Sequence, residues 1–105
     1  ALRREDSRGK AATLNYLALV YVRLGDQVQA LESFKQALSI RFETNDQRGI
    51  AETMQGMGWY YFILGDTVNA LEYLNQSLSL AKKAEDLNRE ATVADRLQMI
   101  WASLG

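Results

Sequence analysis

Leu24-Gly25-Asp26, with Ala30-Leu31-Glu32 close behind it, returns 40 residues later as Leu64-Gly65-Asp66 and Ala70-Leu71-Glu72. A third cycle reaches Leu104-Gly105, and Asp6, Asp46 and Asp86 stand at one point of three successive cycles. Set side by side without a gap, residues 8–47 and 48–87 share 16 of 40 residues. A fixed period between about 20 and 50 residues is the signature of stacked supersecondary units. Each unit contacts only its neighbours, and such arrays present extended surfaces to partners in place of an enclosed catalytic pocket.

Around the Gly-Asp pairs the pattern is helical. Leu14, Leu17, Ala18 and Tyr21 fall at i, i+3, i+4, i+7, one stripe of a helix. Gly25 supplies the left-handed backbone that ends it, and the Asp26 carboxylate caps the next. Ala30, Leu31, Phe34, Ala37, Leu38 and Arg41 mark a second helix. The chain then turns at Asn45-Asp46, and Asp46 caps the helix that follows. The second cycle repeats this with Met54, Met57, Gly58 and Tyr61, then Ala70, Leu71, Leu74, Ser77 and Leu78. The spacing predicts an all-α array of five helices at 8–24, 27–43, 48–64, 67–84 and 88–104. Residues 1–4 align with 41–44 and 81–84 and read as the tail of an earlier second helix. The whole chain, 1–105, reads as one array cut from a longer one, with repeats at 8–47 and 48–87 and a partial one at 88–105. On the last helix Leu97, Trp101 and Leu104 are expected to lack a covering mate.

Composition removes most chemistry. With 105 residues the chain makes one domain, and 48% hydrophobic content supplies a core. There is no Cys, Pro or His. Disulfides, thiolate metal sites and an imidazole base are therefore excluded, and Ser33, Ser39, Ser77 and Ser79 have no His to activate them. No enzyme, metal or cofactor is expected. Arg8-Gly9-Lys10 and Arg48-Gly49 lack a glycine-rich phosphate loop. The net charge of −1 speaks against a nucleic-acid partner, and the basic start at Arg3, Arg4, Arg8 and Lys10 reads as a solvated surface. The longest apolar run, Trp59 to Leu64, is too short to span a bilayer, and no apolar core follows the N-terminal charges as a signal peptide requires. The lack of Cys fits a reducing compartment, the cytoplasm.

These residues resemble the tetratricopeptide repeat family. Its hairpin signature has a large residue, a Leu-Gly-like pair and Tyr on the first helix, a Gly-Asp turn, then Ala, an aromatic and Ala on the second. The first cycle carries Leu14, Leu17-Ala18, Tyr21, Gly25-Asp26, Ala30, Phe34 and Ala37. The second carries Met54, Met57-Gly58, Tyr61, Gly65-Asp66, Ala70, Leu74 and Ser77. The third carries Ala94, Leu97-Gln98, Trp101 and Gly105. The period of 40 exceeds the family's usual value of about 34, and Phe42 and Lys82 stand where a Pro is usual. In this the chain is similar to the subclass found in kinesin light chains, G-protein signalling modulators and bacterial signalling proteins.

The resemblance implies a right-handed superhelix of about two and a half repeats, with first helices forming the concave wall. The groove positions then fall on Ala12, Asn15, Tyr16, Leu19, Val22 and Arg23, on Glu52, Gln55, Gly56, Trp59, Phe62 and Ile63, and on Thr92, Asp95, Arg96, Met99, Ala102 and Ser103. The residues themselves make a matching demand. Beside the core stripe Leu14, Leu17, Tyr21, Leu24 runs a second apolar stripe, Tyr16, Leu19, Val22, so the helix needs cover on more than one side. Two readings stay open. In one, the stripe is a groove for a helix or extended segment of a protein partner, with Trp59, Phe62 and Tyr16 as anchors and Asn15, Gln55 and Arg96 for its polar groups. In the other, neighbouring helices or a symmetric copy of the chain cover it, and the apolar ends drive self-association. A clamp for a C-terminal carboxylate is disfavoured, because among its positions only Arg96 fits. Glu52 and Asp95 against Arg23 and Arg96 disfavour single-stranded RNA.

Overall fold

The computed structural model describes residues 3–104. It consists of α1 (Arg4–Leu24), α2 (Gln27–Glu43), α3 (Gln47–Ile63), α4 (Thr67–Lys83) and α5 (Leu87–Leu104), with no strand among the described residues. Short turns fold the chain into the hairpins α1–α2 and α3–α4, and α5 packs on the second hairpin.

The same physics closes all four turns. After α1, the Gly25 N–H bonds to the Val22 carbonyl and the Asp26 N–H to that of Tyr21, which satisfies two carbonyls at the helix end. Gly25 (φ 78°) and Gly65 (φ 83°) take the left-handed position within the hairpins. Between hairpins Asn45 (φ 52°) and Glu85 (φ 55°) take it, with the same pair of bonds. Asp26, Asp46, Asp66 and Asp86 each accept from the N–H three residues on, at 3.1, 3.0, 3.2 and 3.2 Å. These are the expected caps.

Asp6 departs from that series. It lies inside α1, which begins at Arg4, four residues before the expected start. Asp46 and Asp86 close their turns by bonding to carbonyls of the preceding helix. Glu5, Asp6 and Ser7 belong to α1, where the two acids suit the positive end of the helix dipole. The tail of an earlier helix expected at residues 1–4 is accordingly not found at Arg3, which is extended, or at Arg4; Ala1 and Leu2 lie outside the described residues.

The second helices wedge between first helices. Phe34 of α2 is fully buried with Ala18 and Ala30 on one side and Met57 and Tyr60 of α3 on the other. Leu74 takes the same role in α4, among Ala70, Val93, Leu97 and Ile100. This layering corrects the expected stripe on α1. Met57 is 2% exposed and Leu97 8%, because α2 and α4 cover them, while Leu17 at the matching position is 41% exposed and Leu24 72%. No hairpin lies against that face of α1 among the described residues. At the other end Trp101 and Leu104 are exposed as expected, but Leu97 is covered by α4. Gln98, the third copy of Ala18 and Gly58, is exposed, with no helix over it among the described residues.

Candidate partner-binding groove

The three first helices α1, α3 and α5 enclose a hollow of about 360 Å³. Asn15, Tyr16 and Leu19 face it from α1, Glu52, Gln55 and Trp59 from α3, and Arg89 and Arg96 from α5. Helical period brings them together, since each set recurs at three- and four-residue steps on one face.

Its floor is charged. Glu52 pairs through Oε1 with the Arg41 Nη1 at 3.0 Å and through Oε2 with the Arg89 Nη2 at 3.2 Å. Arg41 is buried and also donates to the Gly49 carbonyl at 3.0 Å and to the Thr53 Oγ1 at 2.9 Å. Arg89 donates a second hydrogen bond to the Gln55 Oε1. On the wall, the Arg96 guanidinium lies 4.1 Å from the centre of the Trp59 ring, within range of cation–π attraction. Trp59 leans on Phe62, with ring centres 5.4 Å apart.

Several polar atoms of this lining lack a partner. Asn15 is 5% exposed, yet its Oδ1 accepts nothing, and the Nε groups of Arg89 and Arg96 are buried with no acceptor. Tyr16 beside them is 61% exposed. The hollow thus combines an exposed aromatic with buried, unused hydrogen-bonding capacity. Behind it, burial pushes the Tyr60 and Tyr61 hydroxyls above their ordinary 10.0, with the charges of Tyr73, Tyr60 and Asp66 adding to the rise at Tyr61. Both are neutral at physiological pH, and the Tyr60 hydroxyl donates to the Gln27 carbonyl at 3.3 Å.

Nine of the expected groove positions line this hollow: Ala12, Asn15, Tyr16, Leu19, Glu52, Gln55, Gly56, Trp59 and Arg96. The others do not line it. Val22 and Ile63 border a separate small cavity with Tyr60, and Arg23 edges a shallow hollow next to Tyr16 and Leu19. Phe62 is half-buried against the core around Leu74, and Met99 is exposed outside the groove. Arg41 and Arg89 were not anticipated. A signal for them exists in the repeat. Position 41 is Arg and position 81 is Ala, while position 49 is Gly and position 89 is Arg, so the large side chain changes helices between the two junctions. Gly49 leaves room for Arg41: a Cβ there would sit 2.8 Å from the Arg41 Cδ.

Paired helices stacked with a fixed period, and a wall built from every first helix, define a helical-repeat interaction scaffold. The tetratricopeptide repeat model matches residues 9–83, and the chain belongs to the tetratricopeptide repeat family. The family's role is protein–protein interaction or scaffolding, and its repeats are typically non-catalytic. A search of curated proteins gave no match. No helix among the described residues is long and apolar enough to cross a membrane.

Proposed function

We propose that the chain is a non-catalytic module that binds a segment of a partner protein in the groove between α1, α3 and α5. Tyr16, Leu19 and Trp59 supply apolar contact, and Asn15 engages the segment's main chain. The observation that carries this reading is the Asn15 Oδ1, buried on the groove wall without a hydrogen-bond donor. A buried acceptor left alone costs about 1–3 kcal/mol, and an incoming N–H removes that cost. The Gln55 Oε1 accepts from Arg89, which leaves its amide NH2 for the segment's carbonyls.

Peptides selected from a random displayed library against the chain provide the test. Asn15→Ala should leave stability unchanged or raise it slightly, because it deletes an unsatisfied acceptor, and should weaken the selected peptides about tenfold. A clear loss of stability with binding intact would make Asn15 a structural residue and remove the main support for the groove.

Self-association is the second reading. Exposed Leu17 and Leu24 on α1, and exposed Trp101 and Leu104 on α5, favour it. Light scattering across concentration decides it, and a monomer at high concentration eliminates it.

A further inference from the structure

We infer that the segment the groove takes is acidic, an internal stretch carrying an Asp or Glu side chain that reaches Arg96 and Arg89. This rests on the groove reading above and names the partner's chemistry. The charged side chains lining the hollow are two arginines and one glutamate. That glutamate is already shared, one oxygen on Arg89 and the other on Arg41 below. The groove therefore keeps an excess of positive charge, although the whole chain carries a net −1.

Of the two arginines that line the hollow, Arg96 has no ion pair among the described residues. No carboxylate lies within ion-pairing distance of it among the described residues, and the Trp59 ring holds its guanidinium instead. Asp95 is its chain neighbour but does not line the hollow, as adjacent residues on a helix face different ways. A guanidinium stacked on an aromatic face keeps its edge donors free, and those donors match a carboxylate in a planar fork. The unused Nε groups of Arg89 and Arg96 are donors, whereas the unused Asn15 Oδ1 across the hollow is an acceptor. A peptide meets both needs at once, with a side-chain carboxylate toward α5 and a main-chain N–H toward α1. A phosphate backbone would bring only acceptors to Asn15 and Glu52, so the chemistry favours an acidic peptide over a nucleic acid. An internal acid and a chain end are told apart by amidation of the C-terminus.

The test uses the 105-residue chain and the same random displayed library. Enriched peptides should share an Asp or Glu at one recurring place, bind more weakly as salt rises, and tolerate amidation of their C-terminus. Arg96→Gln should weaken them by about tenfold or more. Replacing the peptide's acid by its amide should cost a similar factor against the native chain, and little further against Arg96→Gln. The peptide-side change keeps the test decisive if Arg96→Gln fails to fold. Enriched peptides without an acid, or indifferent to both changes, would overturn this inference and leave the groove reading standing. Loss of binding on amidation would assign the site to a chain end, and tight binding of single-stranded oligonucleotides in place of peptides would assign it to nucleic acid. Either overturns the proposal. Failure to enrich any peptide would overturn the groove reading itself.

Discussion

The junction between α2 and α3 and the junction between α4 and α5 solve one problem from opposite sides. At the first, Arg41 extends from the second helix over Gly49 and reaches the Glu52 Oε1. At the second, Ala81 leaves the space empty, and Arg89 reaches back from the next first helix to the Glu52 Oε2. The Arg41 side chain is 7% exposed and holds Gly49 and Thr53 together, while that of Arg89 is 25% exposed and lines the groove. The same guanidinium is scaffold when it comes from one helix and surface when it comes from the other. Repeats that share their glycines and caps can thus acquire a surface charge by moving one side chain across a junction.

Arg41→Ala should have the largest effect. It strands the Thr53 hydroxyl and removes one partner of Glu52, and should cost about 3 kcal/mol in denaturant unfolding. Arg89→Ala, at the exposed end of the same network, should cost under about 1 kcal/mol. Equal losses would mean that the two arginines play the same role. Next in size is the rescue. Arg41→Ala combined with Gly49→Arg tests it: an arginine at 49, placed as Arg89 is, faces Ala12, the counterpart of Glu52, so less than half of the lost stability should return; full recovery would mean that the two junctions are interchangeable. The smallest effect is at a feature the junctions share. Asp66→Ala removes one cap and should cost about 1 kcal/mol, with peptide affinity unchanged.

Local signals carried most of the fold. The glycines at 25 and 65 and the aspartates at 26, 46, 66 and 86 act through bonds spanning only a few residues, so their neighbours in sequence suffice to read them. Asp6 matches Asp46 in identity and repeat position yet lies inside α1, because a cap is defined by the turn before it and not by the aspartate alone. Leu17 differs from its expected burial because burial belongs to a residue's neighbours: its position is covered at Met57 on α3 and open on α1, while Leu24 is exposed in all three copies, with Leu64 and Leu104. In the groove, helical period was enough to gather Asn15, Tyr16 and Leu19 on one face. It was not enough for Arg41 and Arg89, whose meeting at Glu52 depends on how three helices stack.

The chain's two tryptophans allow the most direct test of the groove. Trp59 lies in it under Arg96, and Trp101 lies on the exposed outer face of α5. Their indole N–H signals can be followed by NMR while a selected peptide is added. With the segment in the groove, the Trp59 signal should shift and saturate together with signals from Asn15, while Trp101 stays in place. Movement of Trp101 with Trp59 unmoved would put the interaction on the open end of the array and contradict it.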